Sequence, residues 1–200
     1  MTPSKELLDH LDELIEIALD RLYRQDDYLI YNRPNVRLST KEHHHVGERT
    51  IVFRFAHYLQ CLMDHSGCFS EYVVDCEYNR NGPKVKSLPD IFDQTFPDLV
   101  IHKRDSNDFN LLVMEFKPWW ENDSDKILKD VKKLSGFTST NHEFEYRYAK
   151  GYFIMVEKNK ADLLKIPFTQ GRPHNDAISP LLALLNCRED ELNNEIRLCI

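Results

Sequence analysis

F-P-D-L-V-I-H-K-R-D-S-N-D-F-N-L-L-V-M-E-F-K, residues 96–117, is the stretch on which the reading of this chain turns. Leu99–His102 and Leu111–Phe116 are runs of large apolar and β-branched residues, and Arg104–Asn110 between them is almost entirely turn formers. The pattern predicts a β-hairpin with antiparallel strands. A turn centred on the Ser106–Asn107 bond sets Asp98 opposite Glu115, Val100 opposite Val113 and Ile101 opposite Leu112. Side chains alternate along a strand, so Val113, Glu115 and Lys117 share one face and Leu112, Met114 and Phe116 the other. Two carboxylates, Asp98 and Glu115, and the Lys117 ammonium then converge on one side of a strand pair apolar enough to be buried. Like charges repel in a low dielectric, and each desolvated ion costs several kcal/mol, so such a cluster calls for a cation. A divalent ion with oxygen ligands suits it; Mg²⁺ takes one or two carboxylates and keeps several waters. Singly, each residue has a plainer account: a Glu and a Lys two apart on a strand make a solvated ion-pairing face, and an Asp after Pro is a turn residue.

Together, Pro97-Asp98 and Glu115-Phe116-Lys117, each set against an apolar run, resemble the motif of the PD-(D/E)XK nuclease superfamily. The resemblance implies an α/β fold, a mixed central β-sheet flanked by helices in a restriction-endonuclease-like α/β/α sandwich. It implies a metal-dependent nuclease that hydrolyses phosphodiester bonds, with DNA favoured over RNA and an endonuclease acting on DNA as the expected activity. Asp98, Glu115, the Phe116 carbonyl and Glu48 would hold Mg²⁺, with Mn²⁺ able to substitute. Lys117 would orient or help deprotonate the attacking water and stabilise the pentacovalent state, and a 3′-hydroxyl would leave. Glu48 enters because it lies three and four residues before Ile51 and Val52 on a predicted helix, which sets its carboxylate on or beside an apolar face. Its alternative role is an acid favoured at a helix N-terminus. Two other readings compete: a domain of the same fold that binds nucleic acid or protein without cutting, and a structural ion network in an interaction protein.

At 200 residues and 42% hydrophobic content the chain can bury one good core, which predicts a single domain. Its expected parts are an N-terminal helix and connection over 1–40, a catalytic core over 41–157 and a C-terminal extension over 158–200. No apolar run approaches the roughly 20 residues that span a bilayer, and M-T-P-S-K-E-L-L lacks the apolar core of a signal peptide, so no membrane partner and a cytoplasmic location are expected. The odd set Cys61, Cys68, Cys76, Cys187 and Cys199 has no C-x-x-C spacing and reads as reduced thiols. A net charge of −7 argues against a protein that coats nucleic acid through a basic surface, but leaves room for an acidic metal site beside a local basic stripe. Dimerisation to a homodimer is expected if both strands of a duplex are cut.

Along the chain, Thr2-Pro3 signals a helix start, and Leu7, Leu8, Leu11, Leu14, Ile15, Ala18, Leu19 and Leu22 give an amphipathic helix over about 3–25. Packing inside the molecule is preferred for it over a coiled-coil partner. A second helix is expected from Lys41 or Glu42 to about Met63, with Ile51, Val52, Phe55, Leu59 and Leu62 buried. His43-His44-His45 at its start reads as solvated, since three consecutive imidazoles cannot face one metal, although His43 or His44 could approach a phosphate. Tyr72–Tyr78 is expected as the first core strand, with Asp75 and Glu77 sharing a face, preferably an exposed edge face although either could be a further acid of the site, and Asn79–Leu88 as a loop whose Lys84 and Lys86 could meet a phosphate backbone. After Lys117, Asp123 or Ser124 caps a helix that ends at Ser135 or Gly136. Ile127, Leu128, Val131 and Leu134 line its inner face. Lys126, Lys129, Lys132 and Lys133 form a basic outer side; Lys126, Lys129 and Lys133 are the candidate nucleic-acid contacts. Trp119 and Trp120 either stack on a base or wedge that helix against the sheet. Ala149–Glu157 predicts a buried strand parallel to the Glu115 strand through a right-handed crossover. Beyond it, a short helix over Lys160–Lys165, irregular chain over Pro167–Pro173, a helix from Ser179-Pro180 through Leu185 and a terminal element over Glu189–Cys199 complete the reading.

Overall fold

Helical periodicity makes the first element. In the computed structural model, which describes residues 3–30, 45–89, 91–107, 110–141 and 146–199, α1 spans Lys5–Gln25 and buries Leu11, Leu14, Ile15, Ala18, Leu19 and Leu22 as one stripe. Ser4 caps it by accepting from the Leu7 amide; Thr2, the expected cap, lies outside the described residues. A short helix α2 (Asp27–Ile30) follows. Then α3 runs over Glu48–Ser66 and ends at Gly67, whose φ of +71° is the left-handed stop that glycine accepts without strain. The expected start at Lys41 or Glu42 is corrected, because His45–Gly47 are already non-helical and Gly47 is the N-cap. His43 and His44 lie outside the described residues.

The hairpin forms in the expected register. Strand β4 (Leu99–His102) pairs antiparallel with β5 (Leu112–Pro118), with Leu99 against Met114, Val100 against Val113 and Ile101 against Leu112. Helix α4 (Ser124–Thr138) then crosses to β6 (Lys150–Val156), which lies parallel to β5. Strand β1 (Val73–Cys76) joins the other side of β4 as an edge strand, shorter than the core strand expected over Tyr72–Tyr78. Two places expected to be irregular are strands. Arg80–Asn81 (β2) and Lys84–Val85 (β3) form a small hairpin inside the Asn79–Leu88 connection. A 3₁₀ turn at Lys160–Asp162 replaces the expected helix, and β7 (Leu164–Thr169) and β8 (Arg172–Pro173) extend the sheet. The six-stranded sheet runs β1-β4-β5-β6-β7-β8, parallel only at β5/β6.

Alternation on the strands assigns the layers. Leu99, Ile101, Leu112, Met114, Phe116 and Ile154 pack with α1 and α3. Val100, Val113, Phe153, Met155, Ile166 and Phe168 pack with α4, α5 (Ile178–Leu185) and α6 (Glu189–Ile196). The result is a three-layer α/β sandwich about a mixed sheet, as expected, and residues 164–199 complete the sheet and its second helical layer. Gly136 does not stop α4, which continues to Thr138. It is glycine because a Cβ there would stand 2.9 Å from both Leu88 methyl groups. Among the described residues no helix is long and apolar enough to cross a membrane.

Candidate active site

Odd-numbered side chains of β5 face α4, and this is where the charges collect. Glu115 is fully buried and Lys117 nearly so. Asp98, just before β4, accepts the Phe116 amide on Oδ2 at 2.7 Å, which fixes its carboxylate against the middle of the motif. From the first turn of α3, Glu48 reaches Lys117 at 3.1 Å. The Lys117 Nζ also donates to the Phe116 carbonyl at 3.0 Å and pairs with Asp130 Oδ2 at 2.6 Å. Helix α4 thus adds two groups of its own: Lys133 Nζ bridges Glu115 Oε2 at 2.6 Å and Asp130 Oδ1 at 2.8 Å.

Sequence reasoning placed Asp98, Glu115, Lys117 and Glu48 at one site, and the fold brings all four together. It missed Asp130, and it misread Lys133. Lys133 is only 9% exposed and points into the site, so the expectation that it belongs to a basic outer face is corrected. Lys126 and Lys129 are exposed, Lys126 paired with Glu121 at 2.6 Å and Lys129 over the Phe92 ring. Lys132 pairs with Glu195. The signal for Asp130 was legible: Ile127, Asp130, Val131 and Leu134 recur at i, i+3, i+4 and i+7, the spacing of one buried helix face. Asp75 and Glu77 are held elsewhere, by His102 with Arg104 and by Arg49 respectively. Lys86 is corrected too: it is buried among the rings of Tyr78, Tyr146 and Tyr148 and donates to the Tyr148 hydroxyl at 3.1 Å.

Four carboxylates, Glu48, Asp98, Glu115 and Asp130, face two ammoniums, Lys117 and Lys133. The imbalance has consequences for each group. Burial, followed by the neighbouring Asp98 charge, holds the Glu115 carboxyl well above the usual carboxylate range. Burial also raises Asp98, against the pull of Lys133, and raises Glu48 together with the Asp98 charge. Burial alone would depress the lysines, but Asp130 and Glu48 around Lys117, and Glu115 and Asp130 around Lys133, more than offset it and push both upward. Both lysines are therefore firmly cationic. Among the described residues no donor reaches buried Glu115 Oε1, although an unpaired buried acceptor costs about 1–3 kcal/mol.

That spare oxygen and the excess of anions fit a hard divalent cation, whose natural donors are Asp98, Glu115 and the Phe116 carbonyl, with Glu48 beside them. Among the described residues no three His, Cys, Asp or Glu side chains are grouped closely enough to hold a metal between them as they stand. At one position the Lys133 ammonium bridges Glu115 and Asp130 instead.

Two clefts open onto the cluster. One, of about 410 Å³, exposes Glu48 and Lys117 between His45, Trp120 and Lys126. The other, of about 200 Å³, reaches Asp98 past Arg49 and Phe53. Both tryptophans pack against the α1/α3 core and not with the α4 cluster, so the expected wedge between that helix and the sheet is not what holds Trp119: its indole Nε1 donates to the Ile30 carbonyl at 3.0 Å and Lys158 lies 4.0 Å from its ring centre. No family model, curated protein or solved structure matches the chain.

Proposed function

We propose that this protein is a metal-dependent nuclease that hydrolyses phosphodiester bonds, acting on DNA in preference to RNA. The observation that carries the proposal is the meeting of Asp98, buried Glu115, Lys117 and Glu48 in one charged cluster, reached by solvent at Glu48 and Lys117 on one side and at Asp98 on the other, with a Glu115 oxygen left unpaired among the described residues. A Mg²⁺ or Mn²⁺ ion bound by Asp98, Glu115 and the Phe116 carbonyl would activate water and neutralise charge on the phosphate. The chain's own contribution is charge and position. Lys117, kept protonated by Asp130 and Glu48, acts as a fixed cation toward the phosphoryl oxygens rather than as a base. Asp130 holds both lysines, so the ammonium of Lys117 stays aimed at the cleft when Glu48 is drawn elsewhere. Lys126 and Lys129, exposed on α4, supply phosphate contacts that set the strand's path. A duplex cut on both strands would use two copies of the chain.

One observation favours a second reading, a domain of this fold that binds without cutting: Lys133 already neutralises Glu115, one of the proposed metal donors, while also pairing with Asp130. Activity separates the two. Incubated with plasmid, linear duplex, single-stranded DNA and RNA in Mg²⁺, Mn²⁺ or EDTA, the protein should cleave at least one substrate only with metal. Lys117→Ala should reduce the rate by a hundredfold or more, the scale of a lost transition-state cation. Metal that neither supports cleavage nor raises the melting temperature would leave the binding domain as the reading, since a ligand of the native state must stabilise it.

A further inference from the structure

The 410 Å³ cleft carries a feature that phosphate chemistry does not use. Trp120 packs against the same core as Trp119, but among the described residues its indole has no hydrogen bond like the one that Trp119 makes to Ile30. Its ring, half-buried, lies parallel to the exposed His45 imidazole, with centroids 4.3 Å apart and planes 7° from coplanar, while Trp119 closes one side edge-on at 5.4 Å. Flat rings at this separation make a π-surface to which another flat ring can add. The same cleft contains Glu48 and Lys117, so a group lying on the stack is a direct neighbour of the groups proposed to act on phosphate, and the exposed Lys126 stands at the rim.

Resting on the nuclease reading, we infer that His45 and Trp120 form a stacking platform for an unpaired nucleobase next to the scissile phosphate, so that the substrate is a single strand or a frayed strand end. A base inside a duplex presents its faces to its neighbours and cannot add to the stack without being unstacked or flipped out. An aromatic platform beside a lysine is how proteins hold single strands without reading sequence, because every base has a π-face. Cleavage would therefore follow strandedness and not sequence. The position of the stack also predicts that bases, and not only phosphates, contribute to binding.

Binding in EDTA, where nothing is cut, tests this apart from activity. The probes are a short single-stranded oligodeoxythymidine, the same strand with abasic sites throughout and a blunt duplex of the same length, followed by tryptophan fluorescence and anisotropy. The single strand should bind about ten- to a hundredfold tighter than its abasic counterpart, the range of one lost base–aromatic stack, and should quench the fluorescence. Trp120→Ala should remove that advantage, and Trp120→Phe should restore most of it. The abasic comparison uses the wild-type chain, so it decides the matter even where Trp120→Ala folds poorly. Equal affinity for base-bearing and abasic strands, tighter binding of the duplex, or an advantage that survives Trp120→Ala would each overturn the platform. If metal-dependent, Lys117-dependent cleavage persists in those cases, the nuclease stands and only the platform falls. If the chain neither binds nor cuts any nucleic acid, both fall.

Discussion

Asp98 illustrates what a site of this kind demands of single residues. Its carboxylate is kept in place by the Phe116 amide but disfavoured as an anion by burial and by Asp130. Asp98→Asn retains an acceptor for that amide, removes one negative charge from a cluster with too many and brings a donor to a site with a spare acceptor oxygen. In EDTA it should melt higher than the wild type by about 2–4 °C, or about 1 kcal/mol for a chain of this size, while losing metal-dependent stabilisation and cleavage. A lower melting temperature in EDTA would mean that the charge is well compensated without metal. Lys86 gives a second test, on the pH axis. Burial lowers its pKa to about 8, so the folded state binds its proton less readily than the unfolded chain does. Between pH 7 and 9.5 the unfolded state carries the extra proton, and stability should rise by about 2 kcal/mol relative to Lys86→Met. Tyr148 beside it adds little in that window, because burial keeps its hydroxyl protonated in the folded state and the unfolded tyrosine ionises only at about pH 10, above most of the range. Denaturant melts at each pH read the difference directly. Asp98, Glu115 and Lys117 were legible because strand alternation and hairpin symmetry fix their mutual positions from numbering alone. Lys133 and Lys86 were not: four lysines on a helix read as solvated until the partner strand's buried carboxylate is known, and the Lys86 cage adds to nearby Tyr78 the rings of Tyr146 and Tyr148 from a segment far along the chain.

At the level of elements, α4 carries the most consequence, since it presents Asp130 and Lys133 to the site and packs Ile127, Val131 and Leu134 on the sheet. Its placement depends on Gly136, against which Leu88 lies. Glycine inside a helix ordinarily costs up to about 1 kcal/mol relative to alanine, so Gly136→Ala would stabilise an unconstrained helix. Here the new methyl meets a fully buried Leu88, and the substitution should instead destabilise by about 1–3 kcal/mol. Leu88→Val in the same chain should give back part of that loss, so that the double variant is more stable than the sum of the single changes predicts. Chemical denaturation of the four proteins measures the coupling, and strict additivity would show that α4 moves instead of Leu88. The helices and the β4/β5/β6 order were readable from periodicity and turn residues. The strand β7 was hidden because L-L-K-I-P-F-T contains a proline, which argues against a strand in general, yet Pro167 sits in a six-residue strand paired with Tyr152.

For the molecule as a whole, the question is what holds α1, which covers the sheet and packs against the helix bearing Glu48. Two kinds of contact compete for the answer. Asp12, Glu16 and Asp20, spaced four apart on α1, pair with Lys150, Lys165 and Lys160, and Asp12 also accepts the Tyr152 hydroxyl at 2.8 Å. On the other flank the stripe from Leu11 to Leu22 is almost wholly buried. Ion pairs this close to solvent contribute about 0–1 kcal/mol each and are screened by salt, whereas deleting one buried leucine side chain costs about 2–5 kcal/mol. The apolar stripe should therefore decide. Leu19→Ala should lower stability by about 2–5 kcal/mol in the unfolding free energy. Raising NaCl from 0.05 to about 1 M should move the melting temperature by no more than a few degrees. Screening the three pairs weakens α1, but it also relieves the self-repulsion of a chain of net charge −7, so the two effects oppose. A large salt-induced drop, with Leu19→Ala mild, would reverse the ranking and make the charge ladder the element that fastens α1 and, through α3, the position of Glu48.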